Sequence, residues 1–202
     1  MEEKVKVKSF AFNDSEGRNI IPKNWEVEKL EISGKGGVFE ASKSEFKNAV
    51  CSAAGVQFDL HKCKFEKFVI NKTSLINSKV QKCRFDKLHI EMDGGMPCVH
   101  MLRVTMGEFC FKGTTRKNMP YCTITSSAIE HLILDSCTVA GWSFNNCEII
   151  TLEIRNAKEI NDFRFLGTKV SKIIIDGQEI DTLMRDDRIS LMSFKKGQLI
   201  LA

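Results

Sequence analysis

Proline and tyrosine are scarce in this chain, and long apolar runs are missing. Its 202 residues include three prolines and one tyrosine, beside 14 phenylalanines. This composition favours β structure with tight turns that do not use proline. No apolar run reaches the roughly 18 residues of a membrane-spanning helix, which excludes that class of protein. The apolar share of 43% and the charged share of 28% are ordinary for a globular protein and exclude a disordered one.

A secretory signal is also missing from the first ten residues, because charged residues alternate there with valine. We therefore expect a cytoplasmic protein, unless it is exported by a system that needs no apolar core. The length fits one domain, at roughly 150 residues per domain. The net charge of +4, from 30 basic and 26 acidic residues, is too even to require a nucleic acid or a membrane as partner.

A five-residue repeat organises most of the chain. Large apolar residues recur at every fifth position through two long blocks, and a small or apolar residue usually stands two positions before each of them. The repeat centres are Leu60, Phe65, Ile70, Leu75, Val80, Phe85 and Ile90 in the first block, and Ile124, Ile129, Leu134, Val139, Phe144, Ile149 and Ile154 in the second. A period of five fits neither an α-helix nor a flat strand. A fixed period is typical of repeat architectures, so these centres are predicted to form a continuous core.

The spacing resembles that of the pentapeptide-repeat family, whose repeat has a small residue two positions before a central Leu or Phe. The resemblance covers most of residues 25–182 and lies in the spacing, because Cys, Ser, Thr, Phe and Leu occupy the minus-two slot. It implies an all-β fold: a right-handed quadrilateral parallel β-helix with four repeats per coil and about seven coils, in which residues 20 apart stack. Bulky minus-two residues indeed come in pairs 20 apart, as in Phe68 with Leu88.

Two interruptions and two ends lie outside the repeat. Segments 91–100 and 112–121 carry Gly and Pro where the five-residue frame fails, so both are predicted to bulge out as loops. Residues 1–24 are predicted to cap the start of the solenoid, since an open end exposes both core and sheet edge. Residues 183–202 are predicted to form a C-terminal cap or, as in related proteins, a dimer contact.

No arrangement of residues supports catalysis, a metal or a cofactor. The eight cysteines contain no Cys-x-x-Cys, and most occupy inward slots of the repeat, where a free thiol acts as a small hydrophobe. Cys98 and Cys110 fall outside those slots and are candidates for exposure. The four histidines are expected at the surface, none beside a nucleophile and an orienting carboxylate. Gly34 to Gly37 lacks the remainder of a phosphate-binding loop. We predict a protein that is not an enzyme and needs no cofactor.

Charge is distributed unevenly along the chain. Residues 58–92 carry eight basic and four acidic residues, a net +4, whereas residues 122–156 carry one basic and four acidic residues, a net −3. In the first block lysine recurs at one outward slot, at Lys62, Lys67, Lys72, Lys82 and Lys87. Stacking of residues 20 apart places like charges in register, which costs stability. This lysine-rich face is either a solvated surface that discourages aggregation or a docking face for an acidic partner.

A second candidate contact site is the predicted loop 112–121. It contributes Lys112, Arg116 and Lys117 and no acidic residue. Loops that extend from a rigid scaffold carry binding function more often than the scaffold does.

Three functions are open on this basis. The first is a non-catalytic module that presents loops and a lysine-rich face to a protein partner. The second, implied by the resemblance, is binding or protection of a topoisomerase such as gyrase. Members that mimic DNA are acidic rods, so mimicry is disfavoured here and loop-mediated binding stays open. The third is a bacterial secreted effector. Direct nucleic-acid binding is disfavoured, because the lysine rows lack interleaved aromatic residues.

Overall fold

All regular secondary structure in the described part of the chain consists of β-strands. The computed structural model describes residues 4–13, 17–71, 77–93, 99–114, 122–180, 191–196 and 198–201. Among these residues there is no helix that is long and apolar enough to cross a membrane. The strands are β1 Val5–Phe12, β2 Arg18–Ile21, β3 Trp25–Ile32, β4 Val38–Ser42, β5 Glu45–Cys51, β6 Gln57–His61, β7 Lys64–Asn71, β8 Ser78–Gln81, β9 Arg84–Asp93, β10 Val99–Leu102, β11 Thr105–Thr114, β12 Cys122–Thr125, β13 Ala128–Ala140, β14 Ser143–Asn145, β15 Glu148–Arg155, β16 Glu159–Leu166, β17 Lys169–Ile175, β18 Gln178–Ile180, β19 Leu191–Lys195 and β20 Gln198–Leu201.

The strands form two parallel ladders that run side by side. Strands β1 to β17 with odd numbers pair in succession in one ladder, and strands β2 to β16 with even numbers pair in the other. The result is a β-solenoid of about seven turns, which confirms the predicted all-β parallel solenoid. Successive turns lie about 4.8 Å apart, the usual spacing of paired strands.

The five-residue period sets which side chains point inward. In β7 the side chains of Phe65, Phe68 and Ile70 are buried, while Glu66 and Lys67 are exposed. Burial therefore alternates between steps of two and three residues, which places the repeat centre and the minus-two residue inside. Of the predicted centres, Leu75 lies outside the described residues. The others are at most 5% exposed: Leu60, Phe65, Ile70, Val80, Phe85, Ile90, Ile124, Ile129, Leu134, Val139, Phe144, Ile149 and Ile154.

One fully described turn shows how many units a turn contains. Between β12 and β14 the buried pairs are Cys122 with Ile124, Ser127 with Ile129, Leu132 with Leu134 and Cys137 with Val139, before Trp142 and Phe144 begin the next turn. Four units therefore complete one turn. The register agrees, because Ile129 pairs with Ile149 of the following turn.

Aromatic rings stack along the core from one turn to the next. The rings of Phe46 and Phe65 lie 4.6 Å apart and those of Phe65 and Phe85 lie 5.1 Å apart, in both cases nearly parallel. Farther along, Trp142 stacks on Phe163 at 5.5 Å. Such ring pairs contribute about 0.5–1.5 kcal/mol each beyond their buried area.

The two ends of the chain extend or cover the ladders. Within segment 1–24, predicted as a cap, β1 and β2 pair in parallel with β3 and β4, so they belong to the solenoid itself. At the other end β18 and β19 lie antiparallel to β17 and β16 and cover the last edges of the two ladders. The dimer contact predicted for residues 183–202 stays a prediction.

The predicted loops begin later than the sequence indicates. Strand β9 continues to Asp93 and β11 to Thr114, so segments 91–100 and 112–121 are not loops from their first residues. The reason is the register, since Lys112 pairs on one side with Glu91 and on the other with Asp135. Residues 94–98 and 115–121 lie outside the described residues.

Seven cysteines are described, and all are free and buried. The expected exposure of Cys110 is wrong, because only 9% of it is accessible. Its burial, with the nearby charges of Asp135 and Glu108, raises the pKa of the Cys110 thiol to about 11. Burial alone raises the pKa of Cys122 to about 12. Cys98 lies outside the described residues.

Candidate functional site

One corner of the solenoid uses a left-handed backbone in every turn. The residues at this position are Asn24, Lys43, Lys62, Lys82, Arg103, Ser126, Asn146 and Gly167, with φ between 50° and 64°. Each N–H from Lys43 to Asn146 donates to a carbonyl of the next turn at 2.7–3.0 Å. Asn and Gly suit this conformation, whereas other L-residues pay about 1–2 kcal/mol for it. We call this column the left-handed corner.

Four consecutive positions of the left-handed corner are basic. Lys43, Lys62, Lys82 and Arg103 are all exposed and occupy four successive turns. We call these four residues the basic row. The row carries two costs, because none of its residues favours a positive φ and because like charges stand at about 4.8 Å backbone spacing. Asn or Gly at these positions would avoid both costs. Their positive charge is therefore the property that distinguishes these four corners from the others.

The basic row has no acidic partner within the described part of the chain. The ion pairs there join other residues, for example Lys4 with Glu45 at 2.6 Å and Arg84 with Asp86 at 2.9 Å. The slot that precedes the row holds neutral side chains, including Gln81 and the 37%-exposed Leu102. The charge of the row is therefore left for solvent ions or for a binding partner.

Further basic residues lie beside the row. The structure places the predicted Lys67 and Lys87 in register at the next corner, and Lys64 and Arg84 in register on the side between the two corners. The predicted residues Lys62 and Lys82 belong to the row itself, and Lys72 lies outside the described residues. We call the row together with these four neighbours the basic face: Lys43, Lys62, Lys82, Arg103, Lys64, Arg84, Lys67 and Lys87.

Sequence reasoning missed both ends of the row. A strict period of 20 leads from Lys62 back to Ser42 and from Lys82 forward to Leu102. The turns here differ in length, since Glu45 pairs with Lys64, 19 residues on, and Arg84 pairs with Thr105, 21 residues on. These one-residue shifts bring Lys43 and Arg103 into the column. A period that allowed such a shift at each turn would have found both residues.

The positive charges of the basic row lower the pKa of the half-buried His61. Its pKa lies below the ordinary value, first because partial burial disfavours the imidazolium and then because Lys62, Lys82 and Lys43 repel it. Asp59 acts in the opposite direction but is outweighed. Cations that belong to three successive turns thus act on one side chain.

The second predicted contact site is not supported in the same way. Lys112, predicted in an extruded loop, lies instead in β11, half-buried and between Glu91 and Asp135 in the ladder. The acidic residues on both sides offset its charge, so it does not add to a row of unpaired cations. Arg116 and Lys117 lie outside the described residues.

A compact group of charged side chains lies on another side of the solenoid. The Glu153 carboxylate is 11% exposed, accepts two hydrogen bonds from Arg155 and lies 2.8 Å from His131 Nε2. Arg155 is the main cause that holds the pKa of Glu153 below its ordinary value. Within the described residues no group of three His, Cys, Asp or Glu side chains is placed to hold a metal ion. This group is a neutralised network, unlike the basic row.

Comparisons with protein-family models, with curated proteins and with solved structures give no match for this chain. The functional inference therefore rests on the solenoid and the basic face.

Proposed function

We propose that this protein is a non-catalytic binding module whose rigid solenoid presents the basic face to an acidic protein partner. The observation that carries the proposal is the basic row, in which Lys43, Lys62, Lys82 and Arg103 occupy consecutive left-handed corners without an acidic partner among the described residues. An exposed array of one charge sign speeds encounter with, and selects for, surfaces of the opposite sign.

The alternative to a docking face is a solvated surface that only prevents aggregation. Lysines anywhere on the exposed corners would serve that purpose, including at corners where their backbone is not strained. Here the cations occupy four corners with φ of 54–56°, where Asn or Gly is favoured. Neighbouring turns at the same corner use Ser126, Asn146 and Gly167. The placement favours recognition over general solubility.

A protein fits the basic face better than a nucleic acid. Proteins that bind single strands combine cations with aromatic side chains on which bases stack. The outward slots on either side of the row hold Ser42, His61, Gln81 and Leu102 on one side and Glu45, Lys64, Arg84 and Thr105 on the other. None of these is Phe, Tyr or Trp.

We further propose kinship with the pentapeptide-repeat family. Four units per turn, each burying its centre and its minus-two residue, match what the family's repeat requires. In the described turn from Cys122 to Val139 the minus-two slot also holds small residues in three of four units.

Capture from a cell lysate tests the proposed function. The bait is compared with a row variant, in which Lys43, Lys62, Lys82 and Arg103 are replaced by Asn, and with a control variant that replaces the exposed Lys158, Lys169, Lys195 and Lys196 by Asn. Both variants lose four charges, and Asn suits the left-handed corner. We expect mass spectrometry to find an acidic protein with the bait and the control but not with the row variant.

Two results would redirect the proposal. Capture that survives in the row variant would refute docking through the row, and an Arg116→Ala, Lys117→Ala variant would then test the predicted loop. A topoisomerase subunit among the row-dependent proteins would identify the partner as the one that the family resemblance implies.

A further inference from the structure

The basic row is straight and evenly spaced, and this geometry limits what can bind along it. Its four residues follow one another at about 4.8 Å, so the row extends over about 14 Å parallel to the solenoid axis. Each corner is fixed by a backbone hydrogen bond to the next turn, at 2.9 or 3.0 Å. The spacing of the charges is therefore a property of the fold and is held rigidly at the backbone.

Building on the proposed function, we propose that the basic row binds an α-helix that carries one acidic side chain per turn and lies along the solenoid axis. An α-helix advances about 5.4 Å per turn, so the mismatch with the row is about 0.6 Å per step and about 1.8 Å over three steps. The flexible stems of Lys and Arg take up a difference of this size.

Other linear acidic partners fit the row less well. In an extended strand, side chains on one face recur about every 6.7 Å, so the mismatch grows to about 5.7 Å over three steps. Phosphates of one DNA strand recur about every 3.4 Å along the axis, which gives about 4 Å over the same length. Of these three linear partners, only the helix keeps four charges opposite four charges.

The surroundings of the row also suit a helix with apolar residues beside its acidic stripe. Leu102 is 37% exposed in the slot next to Arg103, and Ile20 is 59% exposed on the same side of the solenoid. Ile20 lines an open groove of about 410 Å³ with Pro22, Ser42 and His61, and the carboxylates of Asp59 and of Glu40, which pairs with Arg18, also line it. The part of a helix that lies over this groove would therefore present apolar and not acidic residues to it. A helix over the row would contact this groove at one end and Leu102 at the other.

Fluorescence anisotropy with two labelled peptides tests the inference. Both peptides have the same composition and are held helical by a side-chain staple. One carries Glu at i, i+4, i+7 and i+11 on one face, and the other distributes the four Glu around the helix. We expect the striped peptide to bind about tenfold more tightly than the distributed one, which corresponds to one decade in Kd. Binding is expected to weaken with added salt.

The row variant and the control variant described above complete the experiment. The striped peptide should lose its advantage with the row variant and keep it with the control variant. Equal binding of both peptides would overturn the inference, as would tighter, row-dependent binding of single-stranded oligothymidylate, which would make a nucleic acid the partner. If capture of an acidic protein depended on the row but the two peptides bound equally, the proposed function would be supported and the helix inference refuted. If neither protein capture nor peptide binding depended on the row, both proposals would be refuted.

Discussion

The backbone N–H of Val104 donates a hydrogen bond to the side-chain oxygen of Ser127, one turn later, at 3.1 Å. The same contact recurs beside the left-handed corner, where Cys63 N–H reaches the Cys83 sulfur at 3.4 Å and Cys147 N–H reaches the Thr168 hydroxyl at 3.0 Å. The residues at this position are Ser44, Cys63, Cys83, Val104, Ser127, Cys147 and Thr168. All of them except Val104 carry a side-chain atom that can accept the one N–H that the corner turns away from the backbone ladder.

Val104 is the one of these seven residues without an acceptor atom, and it follows Cys83 in the column. We predict that Val104→Thr leaves the free energy of unfolding unchanged within about 0.5 kcal/mol or raises it, because the new hydroxyl can accept from Cys83 N–H as Thr168 accepts from Cys147. A buried Val→Thr change normally costs about 1–3 kcal/mol. Urea unfolding measures the difference.

Val139→Thr is the matched control for this prediction. Val139 is fully buried at a repeat centre, so its replacement should show the ordinary cost of about 1–3 kcal/mol. Equal destabilisation by the two substitutions would show that the column does not accept hydrogen bonds at this turn.

Added salt should raise the free energy of unfolding, because of the like charges in the basic row. Repulsion within the row destabilises the fold, and added salt screens it. We predict that the free energy of unfolding of the wild type rises when salt is increased, by more than that of the row variant with four Asn. At low salt the row variant should be at least as stable as the wild type, since Asn also suits the positive φ.

The control variant separates the row from net charge. Its Lys158, Lys169, Lys195 and Lys196 substitutions remove the same charge from other turns, and its salt dependence should stay that of the wild type. A row variant that unfolds more easily than the wild type at low salt would contradict the assignment of Lys62 and its neighbours as strained, repelling corners.

The described cysteines should be unreactive in the native protein. Burial raises the pKa of Cys51 to about 11 and that of Cys137 to about 12, so little thiolate forms there at neutral pH. A hydrogen bond with Cys83 lowers the pKa of Cys63, but its thiol is only 2% exposed, which keeps reagents away from it. We predict that a Cys98→Ser variant shows no fast reaction with a thiol reagent until denaturant is added, when all seven remaining thiols react. A fast-reacting thiol in the native variant would contradict the burial of Cys110, the least buried of the seven.

The repeat predicted the core because a period of five leaves few alternatives for the inward side chains. Phe65, Phe85 and Ile129 had to share one interior, and the pairing of residues 20 apart followed from four units per turn. The lengths of individual turns were not predictable, because an extra or missing residue at a corner leaves the apolar pattern intact on either side. For this reason the repeat does not predict that Lys43 and Arg103 join the row, and it predicts a loop where Lys112 lies in β11.

Cys110 illustrates a second limit of the pattern. It alternates with the inward residues Phe109 and Phe111, so the sequence assigns it an outward position. It is nevertheless buried, as is Ile133, its partner in the next turn. Periodicity reports the direction of a side chain from its own strand, and it carries no information on what covers that strand from outside.

His61 offers a direct measure of the potential of the basic row. Its pKa lies below the ordinary value of about 6.5 because of burial and of repulsion by Lys62, Lys82 and Lys43. We predict that the His61 pKa rises in the row variant, as followed by an NMR titration of its ring protons. It should remain below the ordinary value, because the effect of burial persists. The control variant should leave it unchanged.

The same shift has a consequence for stability with a definite sign. A histidine whose pKa is lower in the folded state binds fewer protons there than in the unfolded chain, so stability falls as the pH drops through the unfolded value of about 6.5. The row variant should lose less stability than the wild type between neutral pH and that range. If its His61 titrated at the wild-type pKa, the three lysines would not repel the imidazolium, and the row would not present the combined potential that docking of an acidic partner requires.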